Sequence, residues 1–160
     1  QLILKEDPSE LPSVLLEERF PEIILKKLDG YKLFSVTNLM NANSPSLVNI
    51  WSSWCVPCKI EHEFLMRMSS DHNILIYGIN YKDKKEDALK VLDLNDNPFY
   101  AIGVDLDGLQ SINLGVYGVP ETFIIDSDGN IRYRHVGAIL EYDMQNIILP
   151  ILDKIMREKI

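Results

Sequence analysis

Apolar and polar residues alternate along Glu22–Leu28 ("EIILKKL") and Tyr31–Val36 ("YKLFSV"), the period of half-buried strands, and Asp29-Gly30 between them is a strong turn signal. Together they predict an N-terminal β-hairpin. Ser46–Trp51 ("SLVNIW") and Asn73–Asn80 ("NILIYGIN") are compact apolar runs bounded by polar residues, and each predicts a buried strand. Between them, Ile60, Phe64, Leu65 and Met68 fall on one side of a helix. A strand, a helix and a strand in this order predict a βαβ unit with parallel pairing and a right-handed crossover. Lys84–Leu94 reads as a second helix and Phe99–Asp105 as a short strand. Glu121–Gly137 predicts a β-hairpin turning at Ser127-Asp128-Gly129-Asn130, and Leu140–Met156 an amphipathic helix bent by Pro150. There are no internal repeats and no linker long enough to divide the chain. The pattern predicts one α/β domain over residues 1–160, a mixed central sheet flanked by helices, with residues 1–20 as an N-terminal extension.

Composition narrows the function. A chain of 160 residues that is 46% hydrophobic can bury a substantial core. Its 24 acidic and 16 basic residues give a net charge of −8. That argues against the basic face expected for nucleic-acid binding and against a docking surface for anionic lipid. The run "YKDKKED" (Tyr81–Asp87) mixes signs and reads as a solvated helix start. Apolar runs such as Ile147–Leu152 are far too short to span a bilayer. Gln1–Pro12 carries acidic residues and no apolar segment of the kind an export signal needs. A chain opening on Gln1 is expected to be a mature or trimmed form, with an export signal or anchor removed.

Candidate chemistry centres on Cys55 and Cys58, the only two cysteines. As a structural staple the pair is unattractive: a bridge closing four residues contributes roughly 2 kcal/mol in the chain-entropy model and risks geometric strain. As a metal site, Cys55, Cys58 and His62 supply three ligands at helical spacing, whereas structural zinc wants four. Glu61, His72 or His135 could complete the set, but no spacing selects one. No metal is therefore expected, and His62 reads as an exposed helix residue. As a redox couple the pair explains more of its surroundings. A strand feeding a helix through Trp54-Cys55 places Cys55 at the helix N-terminus, where free N–H groups and the helix dipole favour a thiolate. Cysteines so placed titrate at roughly 3.5–7.5 instead of about 8.5. Cys55 would be the exposed nucleophile, and Cys58, one turn in and more buried, would resolve the mixed disulfide. Pro57 suits the first helical turn, which needs no N–H from it. Trp54 is either a core residue or a platform for a substrate chain.

The stretch "VNIWSSWCVPCKIE" (Val48–Glu61) resembles the strand–WCxxC–helix unit of the thioredoxin superfamily. With "GINYKD" (Gly78–Asp83) and "LGVYGVPETFIIDSDGNIRYRHVGAI" (Leu114–Ile139), the chain from about Pro21 onward closely resembles the bacterial DsbE/CcmG family, the thiol:disulfide interchange proteins of cytochrome c biogenesis. The resemblance implies a thioredoxin fold with an N-terminal β extension and a central insert, in a periplasmic domain tethered to the cytoplasmic membrane through an N-terminal anchor. It implies a reductant without a cofactor that keeps the haem-attachment cysteines of apocytochrome c, or of a maturation thiol protein holding them, reduced. Its electrons would come from a membrane thiol reductase of the DsbD/CcdA type. An oxidising compartment makes such a dedicated reductant necessary.

Carried over residue by residue, Cys55 matches the nucleophile and Cys58 the resolving cysteine. Val119-Pro120 matches the segment whose peptide bond is cis. Only about 5–6% of X-Pro bonds in folded proteins are cis, so the cis expectation rests on the resemblance. It would present the Val119 backbone to an extended substrate, as in strand addition. Glu121 belongs to the family fingerprint. Glu61, one turn beyond Cys58, is either a second acid near the pair or a solvated helix residue. A carboxylate there would raise the cysteine pKa values and could relay a proton. Asn49 stands where generic thioredoxins carry a buried aspartate. It cannot act as a base, which shifts proton transfer toward Glu61 or Glu121. The alternatives are a broader extracytoplasmic thiol reductase of the TlpA/ResA kind and a metal-binding module built on Cys55, Cys58 and His62.

Overall fold

The structure, a computed structural model, describes residues 18–158, so most of the expected N-terminal extension lies outside the described residues. Its centre is the βαβ unit. Strand β2 (Ser46–Trp51) and strand β3 (Leu75–Tyr81) run parallel, Ser46 opposite Leu75 and Trp51 opposite Asn80, and helix α2 (Val56–Asp71) joins them. Every residue of β2 is buried, as a strand covered on both faces requires. Helix α3 (Lys85–Leu94) connects β3 to strand β4 (Ala101–Asp105), also parallel. Strands β5 (Glu121–Ile125) and β6 (Ile131–Val136) form the expected hairpin, and β5 lies antiparallel to β2. Gly129 takes a left-handed φ of 87° in its turn, a conformation that glycine adopts without steric cost.

The N-terminal hairpin does not form as expected. The chain does turn at Asp29-Gly30, where the Tyr31 N–H donates to the Leu28 carbonyl, but its two arms do not pair with each other. Strand β1 (Lys26–Lys27) runs antiparallel to β4 at Val104 and Gly103, and Leu33 bridges Ile102 in parallel. A turn signal fixes where a chain reverses, not which neighbour its arms find. Here β4 offers a free edge, so both arms lie along it, and the six strands order as β1-β4-β3-β2-β5-β6. Just upstream, Arg19 bridges Asn130, the Phe20 N–H donates to Gly129 and the Ile131 N–H to Glu18. Residues 18–33 thus touch both ends of the sheet.

Strand alternation sends β2 side chains to two cores. Leu47 and Trp51 join α2, α3 and the C-terminal helix on one face. Val48 and Ile50 pack with Phe20, Phe34 and Tyr77 on the other. On α2 the buried stripe is Cys58, Glu61, Phe64, Leu65 and Met68, whereas Ile60 is half exposed, contrary to expectation. Two five-residue helices, α1 (Thr37–Asn41) and α4 (Leu109–Asn113), were too short to show a period in the sequence. The C-terminal helix comprises α5 (Glu141–Asp143), a π-helical stretch (Met144–Ile148) and α6 (Leu149–Arg157). Pro150 stands in the first turn of α6 and has no N–H to give to the π stretch that precedes it. A π stretch, which the sequence did not suggest, lies just before it, where the Leu149 N–H reaches back five residues to Met144.

Candidate active site

Residues 52–55 leave the end of β2 and turn into α2, with the Cys55 N–H donating to the Ser52 carbonyl. Cys55 is the N-cap of α2 and Pro57 stands in its first turn, as expected. The Cys55 sulfur accepts from the Cys58 N–H at 3.2 Å and is joined to Cys58 in a disulfide. The helix terminus is therefore aimed at the Cys55 sulfur, the arrangement that favours a thiolate there once the bond is reduced. The expected difference in exposure is absent: Cys55 is 4% and Cys58 8% accessible. The Cys55 sulfur is held by the bond to Cys58 and by the Cys58 N–H of the first helical turn.

The loop carrying the pair is held by a residue that the sequence placed wrongly. Asp83, in the mixed-charge run, is buried rather than solvated. Its carboxylate accepts from the Ser53 N–H at 2.7 Å, from Ser53 Oγ at 2.6 Å, from Asn80 Nδ2 at 3.0 Å and from the Lys84 N–H at 2.9 Å. Ser52 Oγ donates to the Tyr81 carbonyl beside it. Trp54 is 57% exposed, so it is not a core residue, and its indole N–H donates to the Lys82 carbonyl at 2.9 Å. The "NYKD" segment quoted above was the available signal for this anchor.

Glu61 is fully buried, which removes the solvated alternative. Oε1 accepts from Asn49 Nδ2 at 2.8 Å and Oε2 from the Ile139 N–H at 3.0 Å. Burial raises its carboxyl from 4.5 to about 7, against the pull of these two donors. Asn49, also fully buried, donates to Thr122 Oγ1 at 3.0 Å as well. It ties β2, β5 and α2 together behind the cysteines. His62 is half-buried rather than exposed, and its Nε2 is enclosed without a protein partner. His72 caps the far end of the 16-residue α2, roughly 24 Å from the cysteines at 1.5 Å per residue. His135 is occupied with the Ala138 carbonyl at 3.1 Å. Among the described residues no cluster of His, Cys, Asp and Glu is arranged to hold a metal ion.

The Val119–Pro120 bond is cis. Glu121 is paired with Ile50 in the sheet, so Pro120 falls at the end of β2 from which the cysteine loop departs. Glu121 and Glu61, both expected near the pair, are on opposite faces of the sheet. Phe123, on the same face of β5 as Glu121, belongs to the core opposite α2. There the Glu121 carboxylate accepts from Arg134 Nε at 2.6 Å, and Arg134 also donates to the Gly115 carbonyl at 2.9 Å. Burial pushes the Glu121 carboxyl above its ordinary range while the guanidinium pulls it down. Arg134 was not singled out from the sequence. It links β6 to both ends of the Gly115–Glu121 segment.

Sheet order, helix placement and the capped cysteine pair define a thioredoxin-fold thiol:disulfide oxidoreductase, whose partners exchange thiols and disulfides with it. Comparisons with known proteins agree. Residues 16–148 match the Redoxin family. Thiol:disulfide interchange protein DsbE of Escherichia coli K12 is 37% identical over 153 residues, 96% of this chain and 82% of that one. Its namesake from Pseudomonas fluorescens biotype C is 44% identical over 135 residues, 84% of this chain and 74% of the relative. A solved thiol:disulfide interchange protein of the thioredoxin family from Chlorobium tepidum superposes with a TM-score of 0.67 at 22% identity, over 84% of this chain and 95% of that one. The exposed lipoprotein thioredoxin Etrx1 of Streptococcus pneumoniae gives 0.66 at 19%, over 84% and 99%; these two show the shared fold. The chain belongs to the DsbE thiol:disulfide interchange proteins of the Redoxin family.

Proposed function

We propose that the protein is a periplasmic reductant of cytochrome c maturation, tethered to the cytoplasmic membrane by an N-terminal anchor. Membership of the DsbE proteins, together with the GVPET segment set beside the cysteine loop, supports it. Cys55 is the nucleophile. As a thiolate it attacks the disulfide of apocytochrome c, or of a maturation thiol protein, and one client sulfur leaves. Cys58 then attacks the Cys55 sulfur, the second client sulfur leaves reduced, and the pair becomes the disulfide of this structure. A membrane thiol reductase of the DsbD/CcdA type restores the dithiol. Val119 and Pro120 receive the client backbone, and the exposed Trp54 gives its side chains a surface. Pro57 shapes the helix start, while Asn49 and Glu61 support the site from behind the cysteines and Glu121 from the other face of the sheet.

The observation that carries this reading is the 37–44% identity to DsbE proteins over most of the chain, with Val119-Pro120 placed at the β2 end that launches Cys55. Replacing Cys58 with alanine removes the resolving thiol, so mixed disulfides should accumulate in cells. The trapped partners should carry paired haem-attachment cysteines or be maturation thiol proteins. A trapped set containing neither would overturn the client assignment while leaving the exchange chemistry intact.

A further inference from the structure

Behind the disulfide, between α2 and α3, lies a cavity of about 330 Å³ with Cys58 in its wall. Three of its lining residues carry a buried polar atom with no protein hydrogen-bond partner: Asn49 Oδ1, Trp51 Nε1 and His62 Nε2. Asn49 and Trp51 are 0% and 4% accessible. A buried polar atom left unbonded costs about 1–3 kcal/mol, so three around one cavity call for a common occupant. Asn49 spends its amide N–H groups on Glu61 and Thr122, which leaves only its carbonyl. The Trp51 indole stacks on Phe99 at 5.5 Å, and any side chain on Gly78 would meet both rings, at 3.0 Å from Trp51 Nε1 and 2.9 Å from Phe99. The set comprises one obligatory acceptor, one obligatory donor and one imidazole nitrogen that can be either. That is a lining for water, and the volume accommodates about ten molecules at roughly 30 Å³ each.

We propose that this cavity is the proton exit for Cys58: its water, ordered by Asn49 Oδ1 and Trp51 Nε1, carries the thiol proton to His62. The step belongs to the thiol exchange itself and does not depend on which client is served. In the mixed disulfide between Cys55 and a client, Cys58 is a thiol. Its proton passes through water to His62 Nε2, leaving a thiolate. The thiolate attacks the Cys55 sulfur, the bond from Cys55 to the client breaks, and the client leaves as a thiolate that takes a proton from solvent. The cysteine pair is oxidised by two electrons and the client sulfur is reduced. His62, half-buried, then releases its proton to solvent. The charged groups of the lining are Lys59 and Glu63, of opposite sign and both on α2. Helix α3 contributes Val91 and Leu92, the residue after it Asn95, and β2 no charge, while Glu61 lies beyond Asn49.

The test uses the reduced full chain mixed with oxidised glutathione and followed by stopped-flow tryptophan fluorescence. The rate at saturating glutathione disulfide reports resolution by Cys58. His62→Gln should lower it at least about tenfold near pH 7, flatten its rise with pH and leave the bimolecular first step unchanged. Free imidazole, small enough for the cavity, should restore it. Val91→Phe, which fills the cavity from α3, should lower the same rate without imidazole rescue, with circular dichroism verifying the fold of both variants. A His62→Gln profile superimposable on the parent overturns the proposal, as does failure of imidazole to restore the rate. So does a flattened profile in Glu61→Gln with an unchanged one in His62→Gln.

Discussion

Replacing Glu61 with glutamine should alter how stability depends on pH, by an amount the burial of this carboxyl sets. Its pKa rises from 4.5 to about 7 on folding, so between these values the folded protein binds more protons than the unfolded chain. Stability must therefore fall as pH rises through that window. Below about pH 4.5 the group is protonated in both states and costs nothing; above about pH 7 the full cost of a buried carboxylate is present. At roughly 1.4 kcal/mol per pH unit, that cost is on the order of 3 kcal/mol. Glutamine cannot ionise, so the variant lacks this slope. It is not a perfect replacement, because the carboxylate accepts from Asn49 on one oxygen and from Ile139 on the other. The glutamine NH₂ must face one of those donors, at a pH-independent loss of about 1–3 kcal/mol. The variant should thus be the less stable protein near pH 4 and close the gap, or pass the parent, near pH 8. Guanidinium unfolding of the oxidised forms at several pH values measures this, and every other titrating group cancels in the difference. A stability difference constant to within about 0.5 kcal/mol from pH 4 to pH 8 would refute the reasoning.

Two further outcomes follow from ties that the cysteine motif does not include. Arg134→Met strands the buried Glu121 carboxylate and frees the Gly115 carbonyl. It should cost about 3–5 kcal/mol, and adding Glu121→Gln should recover part of the loss in a double-mutant unfolding cycle. Asp83→Ala removes the acceptor for four donors around Ser53. It should lower stability by about 2–4 kcal/mol and slow disulfide exchange as the 52–55 turn loosens, both readable from thermal melts and glutathione kinetics.

What was legible in the chain follows from the range of the forces involved. The βαβ unit could be read because buried parallel strands are continuous apolar runs, and the β5–β6 hairpin because its turn residues are local. The cysteine pair was legible as chemistry for the same reason: strand, turn, cap and Pro57 are contiguous. Glu61 stayed undecided because its burial depends on Asn49, 12 residues away, and on Ile139, 78 away. A charged residue on a helix is solvated unless such partners exist. Ile60 was misassigned by the same fact, since Glu61 holds the inward position that an apolar pattern gives to its neighbour. Asp83 looked like one sign in a mixed run until the fold brought Ser53 to it across 30 residues. The arms of the Asp29-Gly30 turn were paired wrongly because an open strand edge is a property of the assembled sheet.

That edge has a bearing on how such a protein survives its own work. A molecule that exchanges disulfides with other chains meets foreign polypeptide, and an unpaired strand edge would template unwanted association with any of it that is unfolded. Residues 18–33 fasten to the β5–β6 turn at one end of the sheet and lie along β4 at the other, from Lys26 to Leu33. One short stretch of chain thereby acts as a guard rail at both ends. Shortening it from the N-terminal side should show first as aggregation in the presence of unfolded protein, before any loss of thiol chemistry.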